Sequence, residues 1–110
     1  MGDKDQTIFL RHMLESIKDI KEFMGGVSKE KFEENKEKLN AVVRSVEILG
    51  EAAKKLSESF KNKHKEIPWK EIIGTRDILI HHYFGVDMDI LWNIITKDLL
   101  DLEKQIKDLM

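Results

Sequence analysis

The stretch Leu39-Asn40-Ala41-Val42-Val43-Arg44-Ser45-Val46-Glu47-Ile48-Leu49-Gly50-Glu51-Ala52-Ala53-Lys54-Lys55-Leu56-Ser57-Glu58-Ser59-Phe60 decides the fold. Leu39, Val46, Ala53 and Phe60 recur every seven residues, and Val42, Leu49 and Leu56 fill the intermediate positions. That is an apolar seam over three heptads, the pattern of a helix buried along one side. The spacing predicts one long helix over about residues 36–62. Gly50, Ala52 and Ala53 lie in its middle, where small side chains let another helix approach closely. The bland form of this reading is an ordinary core helix of a bundle, and a close helix crossing at Gly50 is its sharper form.

Upstream, Leu10, Met13, Leu14, Ile17, Lys21 and Met24 make one stripe at steps of three and four, so a helix is expected from about Asp5 to Met24. Lys21 interrupts the apolar set, but its methylene stem can lie along it. Gly25-Gly26 supplies a helix stop, and Ser28 an N-cap for a short helical piece reaching Asn35. Downstream, residues 62–67 read as a polar connection. Pro68 suits the first turn of a further helix running to Tyr83 or Phe84, with Gly85 just past its end. Gly74 in its middle predicts a bend or a close contact. Asp87 reads as the N-cap of the last helix, with Val86 and Leu91 as a hydrophobic staple. Leu91, Ile94, Ile95, Leu99, Leu102, Ile106 and Leu109 form that helix's stripe. No strand is expected. The fold class is all-α, an up-and-down bundle of four main helices, in one domain over residues 1–110.

Composition narrows the function classes. At 110 residues the core is small, which favours burying more surface by dimerising. There is no cysteine, so disulfides and thiol catalysis are excluded. No apolar run is long enough for a membrane span. The start Met1-Gly2-Asp3-Lys4-Asp5 lacks the layout of a signal peptide, and a cytoplasmic location is expected. The net charge of −2 does not attract polyanions as a whole. From Lys54 to Lys70, however, six lysines face Glu58 and Glu66, a local balance of +4 that can either steer RNA or simply solvate a surface. From Asp87 to Met110 six acids face three lysines, a balance of −3.

Most catalytic signatures are missing. No glycine loop for phosphate and no Gly-x-Ser-x-Gly elbow occurs. None of the four histidines has glutamate three residues before it, and the adjacent His81 and His82 cannot share a metal from a regular helix, so neither metal nor cofactor is expected. What remains is Arg76-Asp77-Ile78-Leu79-Ile80-His81-His82-Tyr83. Arg76 is one of only three arginines, and ionisable groups among so many apolar residues are costly unless paired or used. On a helix Asp77 and His81 share a face, so the carboxylate can orient the imidazole. Arg76 and Tyr83 also share a face. Arg76 and His81 diverge by about 140° around the axis, so one straight helix does not aim both at one phosphate. A second copy across a two-fold axis can complete the site, or the helix can loosen before Tyr83. On the residues alone a structural role also stands, with Arg76 in a salt bridge and His81, His82 and Tyr83 hydrogen-bonded at a helix end.

These residues resemble the HEPN superfamily and, within it, the HepT-type toxins of prokaryotic toxin–antitoxin pairs. The family motif is Arg, four to six residues, then His, ending in this branch as His-x-Tyr. The flanks Ile67-Pro68-Trp69-Lys70-Glu71-Ile72-Ile73-Gly74 and Phe84-Gly85-Val86-Asp87 match it as well. So does Val46-Glu47-Ile48-Leu49-Gly50-Glu51-Ala52-Ala53-Lys54, similar to the family's central helix. The resemblance implies a homodimeric, metal-independent endoribonuclease with a composite site where two motif helices meet. It implies Arg76 and His81 as catalytic residues. Asp77 supports His81, and His82 is a neighbouring histidine without an assigned task. It also implies a partner, a minimal nucleotidyltransferase antitoxin that in some systems attaches AMP to the motif tyrosine, here Tyr83. The alternative is a helical partner of the nucleotidyltransferase that binds nucleotide or RNA without cutting it.

Overall fold

The computed structural model describes the backbone of residues 2–81 and 88–110, with side chains for 6–75 and 88–110. Among the described residues there are helices and turns and no strand. Helix α1 spans Gly2–Met24, α2 Lys29–Glu34, α3 Lys36–Lys55, α4 Glu58–Lys63 and α5 Trp69–His81. Helix α6 spans Met88–Asn93, and a π-helical turn over Ile94–Asp98 joins it to α7, Leu99–Leu109. The expected all-α bundle is present, with α1, α3, α5 and the α6–α7 rod as its four main members.

Its order follows from three contacts. Gln6 at the start of α1 accepts the backbone N–H of Ser57, just past the end of α3. The carbonyl of Glu66, before α5, accepts from Gln105 of α7 at 3.2 Å. Leu109 and Met110 lie beside Gln6 and Leu10. The start of α1, the end of α3, the start of α5 and the end of α7 therefore share one end of the bundle, and successive members run up and down. Helix α3 lies between α1 and α5 and packs on both.

The buried set explains the order. Leu10, Met13, Ile17 and Ile20 of α1 meet Val42, Val46, Leu49 and Ala53 of α3, all at most 3% exposed. Val43, Gly50 and Ala52 are buried as well, so α3 is covered over more than an a/d seam. On α1 the inward position is Ile20, not Lys21. The Lys21 side chain stays exposed and pairs with Glu103 of α7 at 3.1 Å, so it joins the two helices from outside. Leu91, Ile95, Leu99, Leu102 and Ile106 are buried along the last rod, as the stripe predicts, and Ile94 and Leu109 are half-buried. Phe32 of α2 is fully buried with its ring 6.0 Å from Trp92, and Lys29 pairs with Asp89, which fastens α2 to α6.

Several helix limits differ from the sequence reading. The long helix breaks at Leu56-Ser57. Leu56 turns to an extended backbone, the Ser57 hydroxyl accepts from Phe60 N–H at 3.0 Å, and Gln6 takes the Ser57 N–H at 2.8 Å. Phe60, the last heptad position, therefore sits on α4, which is a separate helix of six residues. The turn between α1 and α2 behaves as read: Gly26 after α1 has φ +70°, and Ser28 caps the start of α2. Pro68 stands one position before α5, its carbonyl accepting Ile72 N–H at 3.1 Å. Gly74 lies in unbroken helix, and an added Cβ there would meet nothing within 4 Å among the described residues, so neither the expected bend nor a close contact is seen among them. The π-helical turn in the last rod was not anticipated. There Leu99 N–H reaches back to Ile94, and the Thr96 hydroxyl donates to the Trp92 carbonyl at 2.6 Å. The expected roles of Gly85, Val86 and Asp87 lie outside the described residues.

Candidate functional site

Trp69 is buried and donates its indole N–H to the His64 carbonyl at 2.9 Å, which fixes the start of α5 against the end of α4. The Thr75 hydroxyl donates to the Glu71 carbonyl at 2.8 Å, one turn back on the same helix. From there the backbone stays helical through Arg76, Asp77 and His81. The three candidate residues thus share one helix, with its end at the end of the bundle that carries α2 and the start of α6. His82 and Tyr83 lie outside the described residues.

Regular helix geometry fixes their relative placement. Asp77 and His81 are one turn apart on one face, so the pair can work as a carboxylate and the imidazole it orients. Arg76 and His81 are separated by about 7.5 Å of rise and about 140° of rotation. Because α5 is helical up to His81, no loosening between Arg76 and His81 brings them together within one chain. One regular helix therefore places the two residues on different sides.

Residues 72–75, the turn before Arg76, are half-buried, and a Cβ added at Gly74 would meet nothing within 4 Å among the described residues.

Beside α5 runs a groove of about 490 Å³ between α3, α5 and the π-helical turn. Its floor includes Val46, Leu49, Ile72, Leu99 and Leu102, and its rim carries Glu66, Glu71, Asp98 and Asp101. Four carboxylates make this groove unsuited to a polyanion. The sequence reading missed this acidic edge. Its signals were the acidic balance from Asp87 to Met110 and the Asp98–Asp101 pair, three apart and hence on one face of a helix.

Comparison with known proteins finds relatives over most of the chain. The family model described as "Ribonuclease HepT-like" matches residues 13–109. The chain is 45% identical over 102 residues to the protein named "Putative RNase TTE0752" from Caldanaerobacter subterraneus, covering 93% of this chain and 91% of that one. It is 41% identical to "Probable ribonuclease HepT" from Thermococcus cleftensis, covering 92% of each. No solved structure gives a significant match.

Proposed function

Because the chain belongs to the HepT-like ribonuclease family, we propose that it is a metal-independent endoribonuclease of the cytoplasm. In this reading it works as a homodimer and as the toxin of a toxin–antitoxin pair. One observation carries the site assignment: Arg76 and His81 lie five residues apart in a single helix that stays regular between them. In the proposed dimer two α5 helices meet across a two-fold axis, and Arg76 of one protomer faces His81 of its partner. The room for a Cβ at Gly74 among the described residues supports that meeting.

The chemistry follows from the side chains. An imidazole titrates near neutral pH, so it can hold or release a proton at the working pH. His81 takes the proton of the RNA 2′-hydroxyl, and that oxygen attacks the adjacent phosphorus. The bond from phosphorus to the 5′-oxygen breaks, and the same His81 returns the proton it has gained to the leaving oxygen. The products are a 2′,3′-cyclic phosphate and a 5′-hydroxyl. Negative charge builds on the equatorial oxygens during attack, and the Arg76 guanidinium fork neutralises it. Asp77, one turn before His81, orients the imidazole and favours its charged form. The nucleophile belongs to the substrate, so no water needs activating by a metal ion.

The test is a cleavage assay with purified protein and single-stranded RNA in excess chelator. Cleavage that leaves cyclic phosphate is the expected result. Loss of cleavage on chelation, restored by a divalent cation, removes the metal-independent mechanism. RNA bound but left intact in both conditions points instead to a non-catalytic RNA-binding domain.

A further inference from the structure

The lysine-rich segment between α3 and α5 has no task in the cleavage site just described, yet the fold gathers part of it into a defined cleft. A cavity of about 400 Å³ lies at the bundle end shared by the start of α1, helix α4 and the end of α7. Arg11, Lys63, His64 and Phe60 line it. The rings of Phe60 and His64 stand 4.6 Å apart at 51°, and both residues are half-buried. Arg11 and Lys63 are exposed and have no ion-pair partner among the described residues. The nearby Lys61 is taken up by Glu58 at 3.1 Å, and Glu66 stands 3.6 Å from the His64 ring. No side-chain carboxylate lines the cavity itself.

From this we infer a second RNA-binding site, in which Arg11 and Lys63 hold backbone phosphates of a single strand while Phe60 and His64 stack one of its bases. Two cations without an ion-pair partner among the described residues, beside an aromatic step, are the parts that sequence-tolerant binding of single strands requires. The acidic groove along α5 cannot serve, because its rim has the wrong sign. The second site lies against the start of α5, through Phe60 and Trp69 with ring centroids 6.2 Å apart. The helix Trp69–His81 then separates it from His81 by about 18 Å, or about five stacked nucleotides. The site therefore favours RNA long enough to reach both places. This inference rests on the reading that RNA is the substrate.

The test separates binding from cleavage by using a strand that 2′-hydroxyl attack cannot cut. A fluorescein-labelled 2′-O-methyl oligouridine of twenty nucleotides is titrated with protein, and anisotropy is read at several salt concentrations. The charge reversal Arg11→Glu/Lys63→Glu is expected to raise Kd by about tenfold or more and to make the slope of log K against log salt shallower by about 1.4, the contribution of two phosphate contacts on a single strand. Phe60→Leu, which keeps an apolar side chain, is expected to raise Kd by about fivefold or more through lost stacking. Lys18→Glu/Arg44→Glu, an equal charge change elsewhere, is expected to stay within about twofold of the parent. Circular dichroism confirms that each variant is helical. Should the Arg11/Lys63 or the Phe60 variant bind as the parent does, or should the control pair lose as much affinity, the second site is overturned. A protein that binds in this pattern but cuts no RNA keeps the site and loses the ribonuclease reading.

Discussion

Removing the Arg76 guanidinium or the His81 imidazole is expected to lower the RNA cleavage rate by about 10²-fold or more each, the scale of positioned electrostatic and acid–base groups. Helix content and melting should stay close to the parent, since the assigned work is on substrate. Full activity in a folded His81→Ala protein refutes the role given to it. His82→Ala should cost far less. An equal loss there means that the neighbouring histidine does the chemistry. Tyr83 follows His81 by two residues, and in the proposed pair it is the acceptor for AMP. The transfer joins the tyrosine oxygen to the α-phosphorus of ATP and releases pyrophosphate. Each AMP then brings a phosphate that competes with RNA for Arg76, together with bulk that blocks the cleft. Co-expression with the cognate nucleotidyltransferase is therefore expected to give protein heavier by whole AMP units, inactive on RNA and modified at Tyr83. Tyr83→Phe should keep its parent mass. An adduct elsewhere, or none, means that inhibition comes from complex formation alone.

At the scale of elements, the break between α3 and α4 rests on two hydrogen bonds that can be tested separately. Ser57→Ala removes the cap on Phe60 N–H and should cost about 1 kcal/mol of stability. Gln6→Ala leaves the Ser57 N–H without its partner in a part-buried place and should cost about 1–3 kcal/mol. Urea unfolding at fixed protein concentration measures both, and a Gln6 variant as stable as the parent shows that the cap alone sets the break. This break also marks where the sequence stops being legible. Apolar periodicity found α1, α3 and the last rod because burial of one stripe dictates it, and Leu91 to Ile106 are buried as read. The same periodicity ran across Leu56-Ser57 because Phe60 keeps the heptad register while the chain changes direction. The deciding contact comes from Gln6, fifty-one residues away, and no local pattern carries it. Lys21 is a similar case, since only the position of Glu103 makes it an outer tie rather than a stem along the core. The candidate cleavage motif stood out through its resemblance to a family motif, since its residue types and spacing alone leave a structural role open. The cleft at α4 was half-readable: the lysines show in the sequence, but Arg11 joins them only through the packing of α1.

For the whole molecule, a composite site makes a prediction that no single-chain site can satisfy. A light-scattering mass of twice 12.9 kDa is expected at micromolar concentration, and a mass of one chain removes the dimer. Dimerisation alone does not show that the site is shared, but complementation does. If Arg76 of one protomer serves His81 of its partner, Arg76→Ala and His81→Ala chains mixed after partial unfolding and refolded together form heterodimers in which one of the two sites has both native residues. Random pairing makes about half of the dimers mixed, so about a quarter of parental activity should return from two inactive proteins. Recovery requires that each site needs one Arg76 and one His81 in native form. A mixture as inactive as its parents, with mixed dimers confirmed by mass, shows that both residues are needed from the same chain or that both histidines are needed at every site. The second outcome is told from the first by tandem-linked dimers. A linked parent–His81→Ala dimer retains half the parental activity if one histidine per site suffices within a chain, and almost none if base and acid come from the two His81 residues together.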